Sequence, residues 1–346
     1  MCIRDRAIPP ESSWNFGRTF LHPGVDLLFV AGVASLPFVL IASGNPSFDV
    51  PAKLGIAAAI LVNYAHFAAS TVRLYTRPGL AASIPGVAWL FPLAWIAISG
   101  VCLWQSDLLA QHFWNLYQTW SPYHYAAQTF GIAMMYSGRS GVVLSPTARR
   151  LFWWCCMLPF AWAFIVGSNG AGLAWFIDTA ALAAHPVGGS VWNGVSAAIA
   201  IATFLVPAWL FFAHGRHIPI IAAALLLMNG LWWICLSYEG AWTWAAISHG
   251  IQYLLVVGLV DVKDHVPAGE PPLRRAVTFY AMCVLVGLLL FHGAPALIAR
   301  GTDKPVGTII QVVWASVVLR HFIVDGFIWK RKRVGKPVAH GWGASA

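Results

Sequence analysis

The sequence predicts an all-α protein, a polytopic membrane bundle of about ten transmembrane helices. Three observations predict it. The 346 residues are 59% hydrophobic and 10% charged, against about 25% charged in an ordinary soluble domain. Mean hydropathy is +0.70. Apolar runs of roughly 20 residues, the length that crosses the hydrocarbon of a bilayer, recur along the whole chain with short polar loops between them. No long polar linker divides the chain. A single helical domain over 24–329 is expected, between an N-terminal tail (1–23) and a basic cytoplasmic tail (330–346).

The expected spans are 24–43, 53–74, 83–104, 115–137, 149–168, 190–213, 217–237, 241–261, 275–298 and 306–329. Two stretches are irregular. The segment 107–137 is too long for one span, and Trp120-Ser121-Pro122 interrupts it. An interfacial helix followed by a span entering near Pro122 is expected. The apolar but short segment Gly170–His185 is expected to lie in the interface or re-enter. The Pro-rich loop Asp261–Leu273 carries no domain. Met1–Arg6 resemble nothing downstream and are no signal peptide, because no apolar core follows them.

Net charge is +9, but the basic residues sit in short loops beside apolar runs, as the positive-inside bias requires. Nucleic-acid binding is excluded on that ground. With Lys330-Arg331-Lys332-Arg333 in the cytoplasm, alternation puts Arg73, Arg77, Arg139, Arg149, Arg150, Arg216, Lys263, Arg274 and Arg275 on the same side. The opposite loops hold only Lys53, Arg300 and Lys304. Ten spans with both termini cytoplasmic satisfy every loop, so a multi-pass protein of a bacterial-type inner (plasma) membrane is expected.

Six cysteines form no CxxC pair. Cys102, Cys155, Cys156, Cys235 and Cys283 lie in apolar runs and read as small buried hydrophobes. Most of the nineteen tryptophans fall near span ends, the usual interfacial belt.

Ionisable groups at membrane depth are costly and generally functional. Four helices carry them, and all four run from outside to inside: Asn63-Tyr64-Ala65-His66 with Ser70 and Arg73; Tyr123-His124-Tyr125 with Gln128; Ser248-His249 with Gln252 and Tyr253; and Arg320-His321-Phe322 with Asp325. Each histidine has a polar residue three or four positions on, hence on its own helical face. Neutral imidazole is the commonest metal ligand. Several imidazoles with few carboxylates suit Fe, Cu or Zn rather than Mg or Ca. His66, His124, His249, His321 and Asp325 are the candidate ligands. Gln128, Gln252 and Arg73 are candidate outer partners, and Tyr64, Tyr125 and Tyr253 are candidates for shaping the site. Arg73 is expected to pair with Asp325. At 1.5 Å rise per residue, His66 and His321 lie roughly 10–14 Å from their cytoplasmic cations, and His124 and His249 lie roughly 21–22 Å from theirs. That splits the four into two depth pairs, unless helix tilt of about 20° brings them level. His292 and the loop histidines His22, His185, His214, His217, His265 and His340 are read as structural. Asp178 and Glu239 are read as outer-side acids.

The run Arg320-His321-Phe322-Ile323-Val324-Asp325 and the pair His66-Phe67 resemble motifs of the Brp/Blh family. Those are multi-helix membrane dioxygenases that cleave β-carotene with a His-bound iron. The resemblance covers about thirty residues, and only His66, His321 and Asp325 carry over. The family's early His-Gly-x-x-Asp and its His-x-x-x-His are absent here.

Three functions are expected. The first is a membrane oxidoreductase with a His-held transition metal, iron foremost, acting on a lipophilic small molecule. The second is a haem- or pigment-bearing subunit of a membrane complex. The third is a transporter or channel. A retinal-binding rhodopsin is not expected, because its Schiff base needs a lysine deep in a helix and none lies at mid-span here. P-loop, zincin and serine-hydrolase motifs are absent.

Overall fold

The computed structural model describes residues 16–44, 52–142, 144–168, 170–214, 218–235, 238–267 and 269–329. Met1–Arg6, Arg216, His217, His340 and the tail from Lys330 lie outside the described residues, as do the side chains of Lys53, His214 and Glu239. Every regular element among the described residues is helical.

Seven helices are long and apolar enough to cross a membrane. We label the helices in chain order: α1 (Pro23–Val30) and α2 (Val33–Ile41), α3 (Gly55–Thr76), α4 (Gly86–Trp104), α5 (Ser106–Arg139), α6 (Pro146–Val166), α7 (Pro186–Leu210), α8 (Ile220–Ile234), α9 (Trp244–His265), α10 (Leu273–Gly301) and α11 (Val306–Ile328). The seven are α3, α4, α6, α7, α9, α10 and α11. The other three expected spans differ in kind. Residues 24–43 form the pair α1–α2, bent by 57° at Gly32, whose φ of +83° is a left-handed conformation that favours glycine. Helix α5 is long but polar, and α8 has only 15 residues.

The expected break at Pro122 does not occur. Helix α5 is continuous through it for 34 residues. Proline removes one N–H donor, the one that would bond the Gln118 carbonyl, and helices in membranes tolerate such a loss. Beside it, the Ser121 hydroxyl donates to the Tyr117 carbonyl at 2.8 Å. The segment 170–185 forms a turn at Gly172–Trp175 and a short helix, Thr179–Ala184. Gly172 N–H donates to Thr119 Oγ1 at 2.9 Å, which seats the turn on α5. Asp178 is the N-cap of the short helix, its carboxylate accepting from Ala181 N–H at 2.9 Å.

Inner and outer helices differ in cover. Half of the α9 window and 44% of the α3 window are buried inside the protein, against 11% for α4 and 6% for α7. Small residues set the close approaches. A Cβ on Gly250 of α9 would meet Val62 at 2.7 Å and the His66 Cβ at 3.6 Å. A Cβ on Gly287 of α10 would meet the Tyr64 carbonyl oxygen at 2.6 Å. Glycine is thus what lets α9 and α10 close on α3, the usual device of helix pairs in membranes.

Candidate metal centre

Helix α3 is not regular above His66. Residues Ala59–Tyr64 form a π-helical turn, and the α-helical winding resumes at Ala65. Such single turns insert a residue and re-aim the side chains beyond it, often at functional sites. His66 points inward from the first turn below it. His249, next to Gly250, enters from α9, His124 from α5 and His321 from α11. All four are buried.

The rings meet. His66 lies 4.5 Å from His321 and 4.8 Å from His249, centroid to centroid. His124 lies 5.0 Å from each of those two, and His66 and His124 face each other at 6.2 Å. The expected depth split therefore disappears. Its reference points are unequal, because Arg73 is buried inside the bundle and does not mark the boundary. The helix ends are also unlevel. By helical rise, α5 and α9 run on about 22 and 24 Å past their histidines, and α3 and α11 only about 15 and 10 Å.

One ring nitrogen each from His66, His124 and His321 lie within 4.8 Å of one another. At bonds of about 2.0–2.1 Å, imidazole nitrogens on one ion stand roughly 3.3–4.2 Å apart, so shifts under about 1 Å complete a three-histidine site. The hydrogen bonding fits a cation. His321 Nδ1 is 3.0 Å from Ser70 Oγ, and His321 Nε2 is 3.3 Å from His124 Nε2. In the tautomer that donates Nδ1–H to Ser70, the His321 Nε2 lone pair faces His124. Both nitrogens of His66 and Nε2 of His249 are buried with no hydrogen-bond partner. Buried polar atoms are nearly always satisfied. Four imidazoles in contact, three of their nitrogens unpartnered, suit a small cation. Phe322 stacks on His124 at 4.3 Å, and Phe67 packs edge-on to His66 at 4.8 Å, which gives the rings apolar neighbours on the α3 and α11 sides.

The remaining candidates divide. Tyr253 lies against His66 at 4.6 Å and His321 at 5.4 Å. Tyr125 lies against His249 at 4.1 Å. Tyr64 does not join them. It stacks on Phe291 at 4.4 Å and edges onto His292, on the α10 side of α3. Asp325 lies one turn past His321 and is outside the three-histidine group. Its carboxylate accepts from the Tyr253 hydroxyl and from Trp329 Nε1, the latter at 2.8 Å. It therefore positions the tyrosine that covers the rings. Arg73 takes Asp264 as its partner, at 3.2 Å, and not Asp325. The reason is that α9 continues past residue 261, which brings Asp264 beside Arg73 and Arg77. The Arg73 guanidinium also stands over the Trp329 ring at 4.9 Å. Gln128 Nε2 donates to the His249 carbonyl at 3.3 Å, and the amide of Gln252 is buried without a partner.

Sequence reasoning passes over Asp26 in α1. It is fully buried and accepts from Phe20 N–H at 2.5 Å, Leu21 N–H at 3.1 Å and the Tyr136 hydroxyl at 2.8 Å. The signal is present, an acid inside the start of an apolar run. Asp261 opens the Pro-rich loop in sequence, yet it is fully buried and holds Arg275 through two bonds of 2.6 and 2.9 Å.

No family model, curated protein or solved structure matches this chain.

Proposed function

We propose that this protein is an integral membrane oxidoreductase that holds a transition metal, iron foremost and copper or zinc next, among its helices and acts on a lipophilic molecule. One observation carries the reading. Histidines from four separate helices touch at the centre of an apolar bundle, and several of their nitrogens have no other partner. His66, His124 and His321 would hold the metal, with His249 the fourth imidazole at the same point. Iron or copper so held would supply electron transfer to or from dioxygen and the substrate, which zinc would not. The protein's own part is positioning. Ser70 orients His321, Asp325 fixes Tyr253 against two of the rings, and the Phe67 and Phe322 rings exclude water.

The contact between rings bears on the haem alternative. The four rings pack directly against one another, which favours a single small ion over a haem. The single bend at Gly32 is the feature that favours a transporter, and uptake of solutes into liposomes tests it.

The same reading includes ten spans with both termini cytoplasmic. The gathering of Arg73, Arg77, Asp264, Arg275 and His265 at one end supports that orientation. It also includes distant kinship with the Brp/Blh enzymes through His66, His321 and Asp325. The test is elemental analysis of the purified protein beside His66→Ala, His124→Ala, His249→Ala and His321→Ala. Near-stoichiometric transition metal that disappears in the variants is the expected result. Folded, metal-free wild-type protein overturns the proposal.

A further inference from the structure

The histidines are not the only unsatisfied groups at this point in the bundle. Gln252 is 1% exposed, and neither its Nε2 nor its Oε1 has a hydrogen-bond partner. Gln128 donates Nε2 to the His249 carbonyl, and its buried Oε1 has no partner. Gln252 follows His249 by three residues and Gln128 follows His124 by four, so each lies on its histidine's face, one turn further along. The Gln128–His249 bond places the α5 amide directly against α9. On its other side Gln252 faces the bend between α1 and α2, where a Cβ on Gly32 would lie 3.5 Å from Gln252 Nε2 and 2.5 Å from the Trp232 ring. The neighbourhood thus offers one free donor and two free acceptors beside an indole face.

Several other buried polar groups in the bundle have partners of their own, although the Asn229 amide on α8 and part of the Arg73 guanidinium do not. Asp26 has three donors, Asp261 has Arg275, and the Trp232 indole N–H has Ser35 Oγ at 2.7 Å. Leaving an amide unpaired in a protein interior is costly, and in hydrocarbon there is no solvent to take it up. A metal held by imidazoles does not satisfy Gln252 Nε2, which is a donor. The amides call for an occupant that both donates and accepts, and a hydroxyl is the smallest such group.

We propose that Gln128 and Gln252 form a polar seat for the hydroxyl head group of a lipophilic alcohol or phenol, one helical turn from the histidine rings. The hydroxyl accepts from Gln252 Nε2 and donates to Gln128 Oε1 or Gln252 Oε1. Each glutamine side chain has three rotatable bonds, so the amides swing onto the head group without moving the helices. The seat makes the substrate site of the proposed function selective, and rests on that reading only in assigning the alcohol as substrate. It favours a hydroxylated lipid over a pure hydrocarbon. Sites that hydrogen-bond a substrate hydroxyl reject analogues lacking it by factors up to about 10⁴–10⁵, and a mobile, lipid-dissolved ligand will show less.

The test uses the full chain in lipid nanodiscs, with empty nanodiscs subtracted for partitioning. Binding of radiolabelled farnesol is compared with that of farnesene, which has a similar isoprenoid chain and no hydroxyl. Farnesol is expected to bind at least tenfold more tightly. Gln252→Leu, and separately Gln128→Leu, should abolish that preference. Gln252→Met serves if the leucine variant does not fold. Equal binding of the two probes by the wild type overturns the seat, as does a preference that survives in both variants. Metal content is measured on the same samples. Metal present with no preference removes the seat and leaves the proposed function standing. A preference without metal removes the proposed function and leaves the seat.

Discussion

Two buried polar regions of this molecule behave oppositely. Around Asp26, three donors converge on one carboxylate, and around Asp261 an arginine and a histidine do so. Each charge is neutralised or hydrogen-bonded by the chain itself. Around His66 the chain brings four imidazoles and two amides together and leaves several of their atoms without partners. The first kind of cluster fastens helices. The second is incomplete without something added. Buried polarity alone does not separate the two regions; whether the chain satisfies it does.

The contrast breaks first at His66. His66→Leu is expected to abolish stoichiometric metal binding. The same variant, compared metal-free with metal-free wild type, should be no less stable, because an apolar group replaces an unpartnered polar one. Thermal unfolding in detergent with a chelator checks the second half. A clear loss of stability in the metal-free variant would show that the ring has a structural partner after all.

Asp26→Leu should do the reverse. It strands the Tyr136 hydroxyl and two backbone N–H groups, and a loss of about 3–5 kcal/mol is expected, as for breaking other buried charge networks. Metal content of the folded fraction should stay at the wild-type level. Ser70→Ala comes next. Removing a group that orients a ligating histidine typically costs about 10–100-fold in metal affinity, so competition with a chelator of known strength should show a shift in that range at unchanged stoichiometry. The smallest effect belongs to Tyr64→Phe. Its ring packs on Phe291 away from the histidines, and its loss of one hydroxyl should change stability by less than about 0.5 kcal/mol, within the ordinary range for a substitution away from special features, and leave metal affinity unaltered.

The helical class and the choice of histidines were legible from sequence because both rest on one-dimensional signals: runs of apolar residues, and polar residues that interrupt them at helical spacing. The direction of each helix came from loop charge, and direction put His66, His124, His249 and His321 on parallel helices. Depth was not legible. The loop cations do not stand at one level: Arg73 sits inside, and α5 and α9 outrun their neighbours. Rotation was legible at Tyr64: two residues from His66 on one helix is about 200° around it, which turns Tyr64 away from the other histidines and toward α10. Pairing was not legible at Arg73, whose partner depends on how far α9 continues. Asp26 was missed because an acid at the margin of an apolar run reads as the polar edge of a span, whereas the bend at Gly32 folds that edge inward.

The π-helical turn at Ala59–Tyr64 gives the centre an unusual kind of fragility. A π-turn holds one residue more than an α-turn, so the loss of one residue can be absorbed by reverting to α-winding, but a second deletion would swing His66 by about 100° out of the cluster while leaving every side chain of the site intact. The centre is specified by a residue count as well as by residue types. Among homologous chains, substitutions on the outer face of this stretch should be freely accepted, and changes of its length beyond that one residue should not.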